Sequence, residues 1–117
     1  IKIKEILDKY WKNIAEEPLA TGKRLSIPAE KLKAYFSAFK AQLDKFMTDA
    51  ESLKDSLEDS QLVVQIDAMQ TGCLTLGLWH SAKELEKLKN RVDKCSCLSA
   101  YLKTVISTVD YQLRQLE

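Results

Sequence analysis

Four side chains in this sequence are of the types that bind zinc or act as nucleophiles. They are Cys73, His80, Cys95 and Cys97. Zinc sites commonly use closely spaced pairs of such ligands, but Cys73 and His80 would lie about 10 Å apart along one unbroken helix. Cys95 and Cys97 would project to opposite sides of a helix. The spacing therefore predicts structural cysteines and no bound metal.

Nucleophilic catalysis has little support in the sequence. A cysteine hydrolase needs a thiol, a base and a group that orients the base. The chain has one histidine, and it has no glycine-rich segment typical of a phosphate-binding or oxyanion-hole loop. Its carboxylates alternate with lysines at helical spacing, as in residues 83–87, which is typical of a solvent-exposed helix face. We therefore expect a non-catalytic protein that needs no cofactor.

The composition predicts an all-α fold. The 117 residues are 45% hydrophobic and 30% charged, with only three glycines and two prolines. An all-β fold needs many more turn residues than this. A chain of this length is also sufficient for one domain with its own core. We expect a single helical domain.

The charge balance argues against nucleic acid as a partner. The chain has 18 basic and 17 acidic side chains, a net charge of +1. Nucleic-acid-binding proteins usually carry a basic excess, because they neutralise phosphates. The charges are unevenly placed, since residues 46–70 contain six acids and one lysine. Such a dipole can orient a protein partner, although it is also common on ordinary helix surfaces.

The cysteines and the hydropathy pattern bear on the cellular compartment. An odd number of cysteines without a signal peptide is typical of reduced thiols in an intracellular protein, cytoplasmic or nuclear. Gln65, Asp67 and Gln70 interrupt the most apolar stretch, so we expect no membrane span and no membrane partner. The chain begins with Ile1 and ends within a helical pattern, which favours a domain excised from a longer protein.

Hydrophobic periodicity predicts an antiparallel four-helix bundle. Its helices are expected over about residues 2–15, 28–58, 60–94 and 98–116. Pro18 is expected to end the first helix, because proline disfavours helical geometry in the residue before it. Residues 16–27 are then a long loop, and Pro28 opens the second helix. The short connection at residues 56–60 predicts a hairpin of the second and third helices. Asp59 or Ser60 is expected to cap the start of the third helix.

The second helix carries an apolar stripe with alternating spacings of four and three residues. The stripe consists of Leu32, Phe36, Phe39, Leu43, Phe46, Ala50, Leu53 and Leu57, and Tyr35 and Met47 widen it. The pattern suits either a coiled-coil seam or a long bundle helix. Three phenylalanine rings at seam positions favour the bundle, because they fit poorly between two close helices.

The third predicted helix is apolar on two faces. One stripe is Leu62, Ile66, Met69, Cys73 and Leu76, and the other is Leu78, Leu85, Leu88 and Val92. The two stripes are rotated by about 200°. A helix with two apolar faces needs partners on both sides, which predicts a central position. Gly72 and Gly77 lie near the change of stripe, where they allow close packing of another helix, a kink, or a contact with a ligand.

The second stripe continues in phase to the end of the chain. Taken literally, it predicts one helix over residues 78–116. However, Cys95, Ser96, Cys97 and Ser99 are poor helix formers at the middle of this stretch. We therefore predict a break near residues 94–98 and a fourth helix that turns back along the bundle.

The two-faced third helix also indicates a function. Apolar surface that the other helices leave uncovered is expected to bind a partner, and Leu78, Trp79 and His80 are the candidate contact residues. We therefore expect a protein–protein interaction or scaffold domain with an as yet unidentified protein partner. One alternative is a coiled-coil-like homo-oligomer built on a continuous helix over residues 78–116. Another is binding to anionic membrane or nucleic acid through basic residues, which are Lys2, Lys4, Lys9, Lys12, Lys23 and Arg24.

The predicted loop contains a candidate regulatory residue. Ser26 follows Lys23 and Arg24, a pattern that basophilic protein kinases accept. A phosphate there would lie just before the start of the second helix, where negative charge is favourable. The alternative is a simple crossover, since so short a pattern occurs often by chance.

Overall fold

The structure, a computed structural model, describes residues 15–52 and 58–116. These parts contain five helices and no strand: α1 (Pro18–Leu25), α2 (Ala29–Ser52), α3 (Asp59–Thr75), α4 (Trp79–Lys89) and α5 (Lys94–Gln115). The predicted all-α class is confirmed. The first predicted helix lies outside the described residues, except for Ala15, which is in a bend. None of the described helices is long and apolar enough to cross a lipid bilayer.

Helices α2 to α5 lie side by side around a shared apolar core. The most extensive packing is between α3 and α4, followed by α2 with α5 and α4 with α5. Helices α2 and α3, predicted to form the main hairpin, contact each other over a much shorter length. A cavity of about 400 Å³ lies between them, lined by Phe46, Ala50 and Met69 among others. Helix α3 is therefore covered mainly by α4, which follows it in sequence.

The apolar stripe of α2 is confirmed over its described length. Every seam residue there is buried: Leu32, Phe36, Phe39, Leu43, Phe46 and Ala50. The last two predicted members, Leu53 and Leu57, lie outside the described residues. The stripe is narrower than predicted, because Tyr35 is exposed and Met47 is only half-buried.

The loop predicted over residues 16–27 is wrong, because residues 18–25 form α1. Pro18 begins this helix in its first turn, where a missing N–H costs nothing. Pro18 was predicted to end the preceding helix, but proline is also common in the first turn of a helix. Thr21 and Gly22 are buried, so α1 is held by packing and not by its own propensity. Helix α2 begins at Ala29, one residue later than predicted.

The helix predicted over residues 60–94 is two helices. Helix α3 ends at Thr75 and α4 begins at Trp79, and Gly77 between them has a φ of 76°. The change of apolar stripe is therefore a turn and not a rotation within one helix. Close packing is confirmed at Gly72, where a Cβ atom would lie 2.5 Å from Cε1 of Phe39. Gly72 thus allows α2 to pack closely on α3, whereas Gly77 allows the backbone turn between α3 and α4.

The next break also differs from the prediction, since it falls at residues 90–93 and not at 94–98. Helix α5 begins at Lys94, so Cys95 and Cys97 are helical. Val92, predicted as a seam residue, is 101% exposed. The cap of α3 is also shifted by one residue, because Gln61 Oε1 accepts a hydrogen bond from the N–H of Glu58.

Candidate functional site

The turn between α3 and α4 is where segments from distant parts of the sequence meet. The N–H of Glu16 donates a hydrogen bond of 2.8 Å to the carbonyl of Gly77. The carbonyl of Glu16 accepts a hydrogen bond of 2.6 Å from Nε2 of Gln112 on α5. The segment before α1 is thus fixed between this turn and α5. We call this arrangement the turn junction; its residues are Glu16, Thr21, Arg24, Thr75, Gly77, Trp79 and Gln112.

The Glu16 carboxylate is the centre of the turn junction. Its Oε1 accepts hydrogen bonds from Thr21 Oγ1 at 2.7 Å and from Arg24 Nη2 at 3.0 Å. Burial raises the pKa of Glu16, but the hydrogen bonds from Arg24 and Thr21 and the charge of Arg24 together outweigh it. The pKa of Glu16 therefore lies below its ordinary value of 4.5. The side chain is charged at neutral pH and holds both donors in place.

Arg24 joins α1 to both helices that flank the turn. Its Nη2 donates a hydrogen bond of 2.8 Å to the carbonyl of Thr75, at the end of α3. Its guanidinium carbon lies 5.6 Å from the centre of the Trp79 ring, within the range of a cation–π interaction. The last carbonyls of a helix lack partners within the helix, so Arg24 supplies one from outside. One side chain thereby orients the first residue of α4.

The three residues predicted to bind a partner lie in different surroundings. Leu78 is fully buried in the core, so its side chain does not reach the surface. Trp79 is 37% exposed and packs beside Arg24. His80 is exposed, with its Nε2 3.8 Å from Glu84 Oε1, and lines a groove of about 220 Å³ between α4 and α5. Partner binding by these residues stays a prediction, and only Trp79 and His80 are accessible for it.

The candidate regulatory residue is at the surface. Ser26 is exposed and follows the last residue of α1, with a φ of 56°. Lys23 is exposed as well, whereas Arg24 is engaged with Glu16. Ser26 is therefore accessible to a kinase, and its regulatory role stays a prediction.

The cysteines are placed for packing. Cys73 is fully buried, and burial raises the pKa of its thiol to about 12. A protonated, inaccessible thiol is neither a nucleophile nor a metal ligand. Cys95 and Cys97 are half-buried near the start of α5. Within residues 15–52 and 58–116, no group of three or more histidine, cysteine, aspartate or glutamate side chains could hold a metal ion.

Most of the large apolar side chains that are exposed lie on the helices that adjoin the turn junction. Six large hydrophobic residues are exposed in the described parts. Four of them come from the elements that meet there: Leu19 on α1, Tyr35 on α2, Leu74 on α3 and Trp79 on α4. The packing of Phe39 against Gly72 places the first half of α2 beside the last turn of α3. We call these four residues the apolar end group.

Sequence reasoning identified one member of the apolar end group, Trp79. Leu19 was placed in a loop, Tyr35 was counted with the core, and Leu74 was not singled out. A helical projection of α3 could have found Leu74, because it lies off the stripe formed by Met69, Cys73 and Leu76.

Comparison with known proteins found no match: no family model, no curated protein and no solved structure is significantly similar to this chain. The geometry of the turn junction and of the apolar end group is therefore the basis for the function proposed below.

Proposed function

We propose that this chain is a non-catalytic protein–protein interaction or scaffold domain that binds a partner protein through its apolar end group. The observation that carries the proposal is the exposure of Leu19, Tyr35, Leu74 and Trp79 on four helices that contact one another near the turn junction. Single exposed apolar side chains are ordinary, but several at one location are typical of interaction surfaces.

The proposed scaffold is an antiparallel bundle of α2, α3, α4 and α5. Several contacts support it. Lys40 on α2 pairs with Asp110 on α5 at 2.7 Å. Ala50, which follows Lys40 along α2, lines a cavity together with Leu98, which precedes Asp110 along α5. Lys89 at the end of α4 pairs with Asp67 on α3 at 3.0 Å. Such pairings, together with the short turns on either side of α4, fit neighbouring helices that run in opposite directions.

Trp79 is the expected anchor of the interface. Tryptophan is enriched among residues that contribute most to binding energy. The contact with Arg24 already restrains its ring, so less conformational freedom is lost when a partner binds. Leu19 on α1 and Leu74 on α3 are exposed as well and would widen the contact, as in recognition of an amphipathic helix by an apolar surface.

A capture experiment with matched charge insertions tests the proposal. Wild type is compared with Leu19→Asp and Leu74→Asp in the apolar end group, and with Val64→Asp as the control. Val64 is as exposed as Leu19 but lies in the first half of α3. We expect a specific partner to be captured by wild type and Val64→Asp and lost by the other two, with all four chains equally helical. Equal capture by all four chains, or no specific capture by wild type, would contradict the proposal.

The two alternative functions have less support from the described residues. The homo-oligomer was based on a continuous helix over residues 78–116, whereas α4 ends at Lys89. For binding to anionic membrane or nucleic acid, the first four basic residues lie outside the described parts, and Arg24 is engaged with Glu16. A dimer mass in light scattering would favour the first alternative. Salt-sensitive binding to acidic liposomes or DNA would favour the second.

A further inference from the structure

The end of α1 has an unusual residue in a familiar backbone arrangement. The N–H of Ile27 donates to the carbonyl of Gly22 at 2.9 Å, and the N–H of Ser26 donates to that of Lys23 at 3.2 Å. These two bonds form a Schellman cap, in which the left-handed position is usually occupied by glycine. Here the position is Ser26, with a φ of 56°. A residue with a side chain is strained in this conformation, so its presence calls for an explanation beyond capping.

We propose that Ser26 is the phosphate acceptor for a basophilic protein kinase and that its phosphorylation releases Arg24 from the turn junction. The hydroxyl oxygen of Ser26 would attack the γ-phosphorus of ATP and form a new oxygen–phosphorus bond. The bond from that phosphorus to the β,γ-bridging oxygen breaks, and ADP leaves. The hydroxyl proton passes to a carboxylate of the kinase.

The residues before Ser26 provide the recognition. Kinases of this class bind basic side chains two and three residues before the acceptor in an acidic pocket, and Arg24 and Lys23 occupy these positions. Lys23 is already exposed, but Arg24 must leave Glu16 to be bound. Helix α1 has eight residues, too few to be stable without its tertiary contacts. Local opening of its last turn is therefore the expected route by which the kinase gains access.

Once formed, the phosphate would keep α1 loosened for two reasons. It adds a charge of about −1.5 to −2 within two residues of Arg24, and guanidinium groups pair with phosphate in a bidentate manner. The phosphate thereby competes with the Glu16 carboxylate for the same side chain. It also lies at the carboxyl end of α1, where negative charge is unfavourable, and just before α2, where it is favourable. The competition for Arg24 and the unfavourable charge at the carboxyl end of α1 both weaken the attachment of α1 to the turn.

Release of Arg24 would change the surroundings of Trp79. The cation–π contact and the hydrogen bond to the Thr75 carbonyl are lost together, since one guanidinium makes both. This regulatory consequence rests on the proposed function, because Trp79 is the expected anchor for the partner. The modification and the release of Arg24 do not depend on any partner, so they can be tested separately.

The modification is tested with the full 117-residue chain, ATP and a purified basophilic kinase. Mass spectrometry is expected to find a single phosphate, located on Ser26. Ser26→Ala should remove it, whereas Ser37→Ala should not. Ser37 is the matched control because it is exposed on α2 but follows Ala34 and Tyr35 instead of basic residues. Absence of phosphate in wild type, or undiminished incorporation in Ser26→Ala, would overturn the proposal.

The release of Arg24 is tested by amide hydrogen exchange and by fluorescence. Loss of its charged hydrogen bonds is expected to speed exchange of the α1 amides by about tenfold in the phosphorylated chain. In a Trp11→Phe background, the emission of Trp79 should shift in the same chain. Arg24→Gln should reproduce both changes without phosphate. Unchanged exchange and emission in a fully phosphorylated chain would disprove the release. Failure of the partner capture alone would instead count against the proposed function.

Discussion

The two turns that flank α4 are stabilised in different ways. The turn between α3 and α4 is contacted by residues from far along the sequence, since Glu16 and Gln112 lie 96 positions apart and are joined there. The turn between α4 and α5 is stabilised locally. Arg91 pairs with Asp93, two residues further on, at 2.7 Å. Between them, Val92 is fully exposed.

The difference separates two kinds of chain reversal. The first turn needs a glycine because its backbone has a positive φ and because Glu16 and Thr21 lie directly against it. The second turn needs no such residue, because Asn90 has a φ of −92° and faces solvent. The first turn is therefore part of the tertiary structure, and the second is a local connection. We expect substitutions at the first turn to lower the free energy of unfolding more than substitutions at the second.

The largest effect is expected for Gly77→Ala. A Cβ there would lie 2.6 Å from Cβ of Glu16, and the left-handed conformation adds strain. Together these should lower the free energy of unfolding by about 3 kcal/mol. The control is Asn90→Ala in the second turn, which should change it by less than about 0.5 kcal/mol. Chemical denaturation of both variants gives the comparison, and equal losses would show that the two turns are not distinct.

The next effect is expected for Arg24→Ala. The variant removes the hydrogen bonds to Glu16 and Thr75 and leaves a half-buried carboxylate with less compensation, a loss of about 2 kcal/mol. The matched control is Arg91→Ala, whose ion pair with Asp93 is exposed and local, so little change is expected. A double-mutant cycle of Arg24→Ala with Glu16→Gln should give a coupling energy of about 1 kcal/mol. If the two single effects simply add, Arg24 does not act through Glu16.

The same distinction explains how much of the structure could be predicted from the sequence. The stripe of α3, and that of α2 over its described length, were predicted correctly, because burial on one face repeats with the helical period. Helix α1 was missed because it is short and depends on tertiary contacts, which no local pattern records. The turn at residues 90–93 was misplaced because Val92 keeps the spacing of the stripe without being buried. Of the candidate site, Trp79 was found, but Arg24 was considered only as a basic surface residue and as part of the kinase pattern before Ser26, and its contact with Trp79 was not predicted.

The two turns should also respond differently to acid. Glu16 and Asp93 both have a folded-state pKa below the ordinary value, 4.5 and 3.8 respectively. Each contribution to stability is therefore fully present above that ordinary value and is lost as the pH falls through the folded-state pKa. For Asp93, hydrogen bonding to Arg91 lowers the pKa to about 2. We expect the Trp79 emission, in the Trp11→Phe background, to change below pH 4.5 as Glu16 is protonated.

Carboxyl carbon NMR provides the site-specific measurement for both acids. Glu16 should titrate below its ordinary value of 4.5 and in step with the Trp79 emission. Asp93 should remain charged until a pH of about 2. A Glu16 carboxyl that titrates at or above 4.5 would show that Arg24 and Thr21 do not stabilise its charged form. Glu16 would then not be the residue that holds the turn junction together.

The smallest effect is expected for Val92→Asp, although the apolar periodicity marks this position as core. Its side chain is fully exposed, so the free energy of unfolding should change by less than about 0.5 kcal/mol. Leu88→Ala, one step earlier in the same stripe and fully buried, should cost about 2–5 kcal/mol. Thermal unfolding of both variants decides between a turn and a continuous helix at this point. A large loss for Val92→Asp would restore the continuous helix over residues 78–116, and with it the basis for a coiled-coil-like assembly.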